Sequence, residues 1–224
     1  MLERETMPLK RSMISVIIIV SAMLLGVSSG KANLITNGGF EDGTGLPESN
    51  YVTLTAGTQS SDDITGWTVV KSNDWVHASY WTPAEGKMSI DLSGDGIGAL
   101  TSIAFTTTPG VNYEVVFYLS GNFEGGDIFK RLQVSADNQS ADFVFNWFPN
   151  WSTKNMGWQK KTWIFTADGN LANLTLTSGA NNAFGPALDN VSVNVVPLPS
   201  ALLLLGAGLL RLAQYRQRKS SSKS

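Results

Sequence analysis

The sequence predicts an all-β protein: a two-sheet antiparallel sandwich of the jelly-roll type, flanked by an N-terminal signal helix and a C-terminal transmembrane helix. Three observations carry that prediction. Residues 33–196 contain about eight to ten short runs in which apolar and polar residues alternate with period two, the pattern of half-buried strands. Gly, Asn, Asp and Pro separate these runs and supply the backbone conformations that turns require. No stretch between the two ends carries the spacing of an amphipathic helix. Many short strands with nothing else to cover them bury their apolar faces by packing sheet on sheet.

At the N-terminus, Lys10 and Arg11 precede an apolar run from Met13 to Leu25, and Gly30-Lys31-Ala32 offers small residues for cleavage. This is the pattern of a secretory signal peptide over residues 1–32, and Met7 as an alternative start keeps the basic pair. The mature chain then begins near Asn33.

Leu34 and Ile35 read as a short strand entering the glycine-rich turn Asn37-Gly38-Gly39, where glycine makes positive φ available. Tyr51, Val52 and Leu54 form the next strand, followed by Ile64–Val70 with Trp67 and Val69 on one face. Residues 71–86 hold Trp75, His77, Tyr80 and Trp81 with weak periodicity, so they are expected to form a long loop or a ragged edge strand. Met88, Ile90 and Leu92 alternate with Ser89 and Asp91 and stop at Ser93-Gly94. Ile103 and Phe105 lead to a Pro109-Gly110 turn. Tyr113, Val115, Phe117 and Leu119 make the most regular strand. Leu132 with Val134, Phe143 with Phe145, Trp163 with Phe165 and Leu174 with Leu176 mark four more, and Val191, Val193 and Val195 mark the last. Pro197 and Pro199 end it, since proline cannot donate to a sheet. An apolar helix over about 198–213 follows, then a basic tail to Ser224 with Arg211, Arg216, Arg218 and Lys219. The run is short for a hydrocarbon core of about 30 Å, so Arg211 has to snorkel. The basic end stays cytoplasmic.

Composition excludes several functions. With no cysteine, an exported domain relies on core packing rather than disulfides, and thiolate metal sites are ruled out. Residues 33–196 carry 7 Lys and Arg against 16 Asp and Glu, a net charge of −9, which disfavours nucleic acid. His77 is the only histidine, so a serine triad or histidine metal cluster without it cannot exist, and no Gly-x-Ser-x-Gly elbow occurs. Glu85, Glu114, Glu124 and several aspartates leave a glycosidase carboxylate pair formally open, but nothing singles one out. The chain therefore reads as a non-enzyme.

Sugar binding needs an aromatic face for the ring and polar groups for the hydroxyls. Trp75, His77, Tyr80 and Trp81 lie in one loop-like segment, and Trp147 and Trp151 in another, so these six are the candidate ligand-binding residues. Trp67 and Trp163 are assigned to the core.

Several separated motifs resemble the choice-of-anchor C family of exported bacterial proteins. They are Leu34 to Glu41, Ile64-Thr65-Gly66-Trp67, Ser89 to Gly94, Leu119-Ser120-Gly121-Asn122 and, most specific, Gly185 to Val193. The tail, a proline pair followed by an apolar helix and a basic cluster, resembles the PEP-CTERM sorting signal, here over 197–219 with Pro197-Leu198-Pro199 in place of Pro-Glu-Pro. The resemblance implies a galactose-binding-like jelly roll at the cell surface or in the extracellular matrix, with carbohydrate or exopolysaccharide as ligand. It also implies an exosortase-type membrane protease as processing partner, while a permanent single-pass anchor is the alternative. Related sandwiches carry a structural calcium between a carboxylate after the first strand and one before the last, which here are Glu41 and Asp189. A structural or adhesin matrix protein without sugar binding is the second functional reading.

Overall fold

The computed structural model describes residues 32–58, 62–148, 150–197, 205–212 and 214. The chain divides into Met1–Ala32 and Asn33–Ser224, and the signal-peptide segment falls outside the described residues apart from Ala32.

Strands dominate Asn33–Val196, as the alternation requires. One sheet has six strands in the order β1 (Tyr51–Thr55), β3 (Ser72–His77), β4 (Met88–Asp91), β13 (Pro186–Val195), β7 (Asn112–Gly121) and β10 (Gln159–Thr166). The second has five: β2 (Trp67–Val69), β5 (Ala99–Ser102), β12 (Leu174–Ser178), β8 (Phe129–Ala136) and β9 (Gln139–Asn146). A short pair, β6 (Phe105–Thr106) and β11 (Leu171–Ala172), stands beside them. All the pairings are antiparallel, so the expected two-sheet sandwich is the fold.

The core lies between the sheets because each strand turns its apolar face inward. In β7, Tyr113, Val115, Phe117 and Leu119 are buried while Glu114, Val116 and Tyr118 are not. Tyr113 stacks on Phe165 of β10 at 5.5 Å. Phe117 meets Phe143 of β9 edge-on at 5.1 Å, a contact between the sheets. Burying a side chain of this size stabilises the fold by roughly 1.5–3 kcal/mol.

β13 sits at the centre of the larger sheet, between β4 and β7. Residues 33 and 34 run along it: the Leu34 N–H donates to Val193 O at 2.9 Å. Asn33 brackets the same stretch, its Oδ1 accepting from the Val193 N–H at 3.0 Å and its Nδ2 donating to Val191 O at 3.4 Å. The pairing with β7 slips between Asp189 and Ser192, where Asn190 takes φ 48°. A bulge of this kind turns the strand locally.

Three expectations are corrected. Leu34 and Ile35 form no strand; they lead into a turn. In the Asn37-Gly38-Gly39 turn, expected to supply positive φ, Asn37 does so, but the second positive φ falls on Phe40 and not on the glycines. Gly38 is there for a close approach, since a Cβ would lie 1.8 Å from Val191 O. The segment expected to be a long loop or a ragged edge strand contains β3, a strand inside the sheet with Asn73, Asp74, Trp75 and Val76 all buried. Burial on both faces erases the alternation by which a strand is recognised.

Residues 205–212 are helical, with Leu205, Leu209, Leu210 and Leu212 all more than half exposed. Among the described residues no helix is long and apolar enough to cross a membrane. The expected span of about 198–213 lies only partly within them. Pro197 is exposed, and Leu198 and Pro199 lie outside the described residues.

Candidate binding cleft on the six-stranded sheet

Period-two geometry places Trp75 and Ile90 in the core and turns their neighbours Asp74, Val76, Ser89 and Asp91 to the opposite face of the larger sheet. Two loops cover part of that face. Trp81 and Met156 pack with Val76 and Ala187 in a second apolar cluster, with Tyr80, Phe123 and Trp158 against it. Polar bonds lock the cover. Trp81 Nε1 donates to Ser89 Oγ at 2.7 Å, Trp158 Nε1 to Thr82 O at 2.9 Å, and the Thr82 N–H to Thr153 O at 2.8 Å.

Where the cover ends, a cleft of about 230 Å³ opens, lined by Tyr51, Thr53, Asp74, Val76, Tyr80, Trp81, Asp91, Gly94, Asp95, Asn122, Glu124, Ala183 and Phe184. Tyr51 and Tyr80 form an aromatic corner, edge to face at 5.2 Å. Tyr80 Oη donates to the Glu124 carboxylate. Burial, and then Glu124, push the phenol's pKa up. Thr53 Oγ1 donates to Asp74 Oδ1 at 2.6 Å. Asn122 Nδ2 donates to Asp91 Oδ2 at 2.9 Å, and the Ser93 and Gly185 N–H groups both donate to Asp91 Oδ1 at 3.1 Å.

Asp74 and Asp91 are register partners on β3 and β4. Burial holds Asp91 well above the usual carboxylate range, against the bond from Asn122 and reinforced by the charge of Asp74. Burial also pushes Asp74 up to about 6, against its bond from Thr53 and with help from Asp95. Lys130 is buried nearby, its Nζ donating to Gly125 O at 2.6 Å and Phe184 O at 2.9 Å, and burial lowers its pKa. A larger hollow of about 360 Å³ borders β8, β9 and β12. Its polar groups Gln133 and Asp142 bond to each other at 3.1 Å, and it has no aromatic corner like that of Tyr51 and Tyr80.

The six candidate ligand-binding residues separate in space. Tyr80 and Trp81 line the cleft. Trp75 does not: it is fully buried between the sheets, and its Nε1 donates to Phe40 O at 2.9 Å. His77 bonds locally, Nδ1 lying 3.0 Å from Ser79 Oγ and accepting the Ser79 N–H at 3.1 Å. Trp151 stacks on Phe145 at 4.6 Å and packs against the core. Trp147 borders a separate hollow of about 90 Å³ with Phe123, Ile128 and Lys130. Trp67 is in the core and Trp163 packs against it, as assigned.

Sequence reasoning missed Tyr51, Asp91, Asn122 and Glu124 as a group. The readable signal was the polar partner of each buried residue, Thr53 beside Leu54, Asp74 beside Trp75 and Asp91 beside Ile90. Which strands lie side by side was not readable.

Glu41 and Asp189 do come together, since the Glu41 charge adds to the rise of Asp189. Backbone donors engage both carboxylates. Glu41 Oε1 accepts the N–H groups of Lys87 and Met88 at 2.7 and 2.8 Å. Asp189 Oδ2 accepts the Glu85 N–H at 2.9 Å, and its Oδ1 accepts the Asn190 N–H at 2.6 Å. N–H donors thus bond to three of these four oxygens. Among the described residues no group of three His, Cys, Asp or Glu could hold a metal. Burial pushes Asp189 up to about 7 against these backbone bonds.

Fold and site together define a jelly-roll β-sandwich with an open, carboxylate-rich cleft on one sheet. The chain belongs to the family described as "Protein of unknown function (DUF642)", whose model matches residues 33–194. It is 31% identical over 198 residues to halomucin of Haloquadratum walsbyi (strain DSM 16790 / HBSQ001); the match covers 83% of this chain and about 2% of that protein's length. Among solved structures, it is similar to TmCBM61 in complex with β-1,4-galactotriose, with 14% identity and a TM-score of 0.45, over 74% of this chain and 99% of the other. A family 16 carbohydrate-binding module gives 17% identity and a TM-score of 0.42, over 72% and 99%. The CBM22-1 xylan-binding domain from Paenibacillus barcinonensis Xyn10C gives 14% and 0.40, over 67% and 97%.

Proposed function

We propose that this chain is an exported, non-catalytic carbohydrate-binding sandwich that takes a polysaccharide segment in the cleft of its six-stranded sheet. The observation that carries this reading is the cleft: an aromatic corner at Tyr51 and Tyr80 that shares one lining with the polar residues Asp74, Asp95, Asn122 and Glu124. A sugar ring has an apolar face for the one and hydroxyl donors for the other. Residues 1–32 serve as a signal peptide and residues 197–219 as the sorting tail, in line with the resemblance to choice-of-anchor C and PEP-CTERM proteins. Pro197-Leu198-Pro199 is then the segment met by an exosortase-type protease, and the mature protein resides at the cell surface or in the extracellular matrix.

A glycan array probed with the full chain tests the binding. Neutral or amine-bearing oligosaccharides are expected to be retained, and Tyr80→Ala to weaken retention about tenfold, in line with the loss of one aromatic contact and its hydroxyl bond. Uniform absence of retention, with the wild-type chain folded, overturns this proposal in favour of a matrix protein that contacts other proteins.

A further inference from the structure

We propose that the cleft is selective for a ligand bearing a protonated amine and, on the carbohydrate reading above, for an amino sugar whose amine is free rather than acylated. The first argument is the inventory of donors and acceptors. Thr53, Tyr80, Trp81 and Asn122 all donate to acceptors of the protein itself, namely Asp74, Glu124, Ser89 and Asp91. The wall therefore offers the ligand mainly acceptors, and a ligand that supplies donors is the complement.

The second argument is Asp74. It is only 8% exposed, lines the cleft, and bonds through Oδ1 to Thr53, while its Oδ2 has no protein partner among the described residues. That oxygen is left as an open acceptor in the cleft lining, and a ligand N–H makes a charge-assisted bond to it.

The third argument is charge. Asp74, Asp95 and Glu124 line the cleft without an Arg or Lys among the lining residues. Lys130, the nearby cation, is held by Gly125 O and Phe184 O. Such a field repels uronic acids and sulfated sugars and attracts an ammonium group, which the faces of Tyr51 and Tyr80 also favour.

The test is calorimetric titration of the full chain at about pH 7 with matched oligomers of glucosamine, N-acetylglucosamine and glucose. The glucosamine oligomer is expected to bind at least about tenfold more tightly than the other two, with an affinity that falls as salt rises. Asp74→Asn and the exposed Asp95→Asn are each expected to remove most of that preference, read as the ratio of the glucosamine-oligomer affinity to the glucose-oligomer affinity. Asp95→Asn keeps the test informative if Asp74→Asn does not fold. Equal affinity for all three oligomers overturns the amine preference and leaves the carbohydrate reading standing. No binding of any of them overturns the amino-sugar preference, and retention on the glycan array then decides the carbohydrate reading separately.

Discussion

Asp74, Asp91 and Asp189 all lie on the cleft-bearing sheet, and burial raises all three carboxyls. Each therefore holds its proton in the folded chain at a pH where the unfolded chain, with a carboxyl near 3.8, has released it. Between those values the folded state binds more protons, so stability falls as pH rises. The contribution is fully present below the unfolded value and is lost through about pH 6 for Asp74 and about pH 7 for Asp189. Thermal melts are expected to give a higher midpoint at pH 5 than at pH 8, and Asp189→Asn to reduce that difference. A midpoint that rises from pH 5 to pH 8 contradicts the assignment. The same titration acts on the cleft, since neutral Asp74 attracts a cation less, so amine binding is expected to weaken below about pH 6.

Among the elements, β3 matters most because it serves the core and the site at once. Trp75 fills the space between the sheets, and its Nε1 holds the carbonyl of Phe40, a fully buried residue at φ 61°. That left-handed conformation is uncommon for a bulky side chain and persists only where its surroundings hold it. Trp75→Ala is expected to destabilise the domain by roughly 3–5 kcal/mol in urea titration, the range for deleting a large buried aromatic. Trp75→Phe should cost less, through loss of the indole bond. A ligand-stacking role for Trp75 would instead give a binding defect with unchanged stability. One residue along β3, Asp74 points to the cleft, so strand alternation joins a packing residue and a recognition residue in one rigid element.

Over the whole molecule, charge and polarity are segregated. The sandwich region 33–196 has a net charge of −9, whereas the positive charge gathers towards the two ends of the chain. The helical residues 205–212 keep Leu205, Leu209, Leu210 and Leu212 exposed. Mass spectrometry of the mature protein from its native host is expected to find an N-terminus near Asn33 and a C-terminus near Pro199. An intact segment from Leu202 to Ser224 would mean a permanent anchor in place of sorting.

The class of fold and most of the core were readable from the chain alone. The period of two in strands such as β7 states which side chains go inward, whatever sheet the strand joins. β3 escaped because the two loops cover its outer face as well, leaving buried residues on both sides and no alternation to read. The binding cleft escaped for another reason. Tyr51, Asp74, Asp91, Asn122 and Glu124 lie far apart in sequence and meet only through the order β1-β3-β4-β13-β7. Local preference dictates which way a side chain faces along its own strand. The neighbours it meets are set by long-range pairing, where the free energy belongs to the packed sheets together and to no single segment.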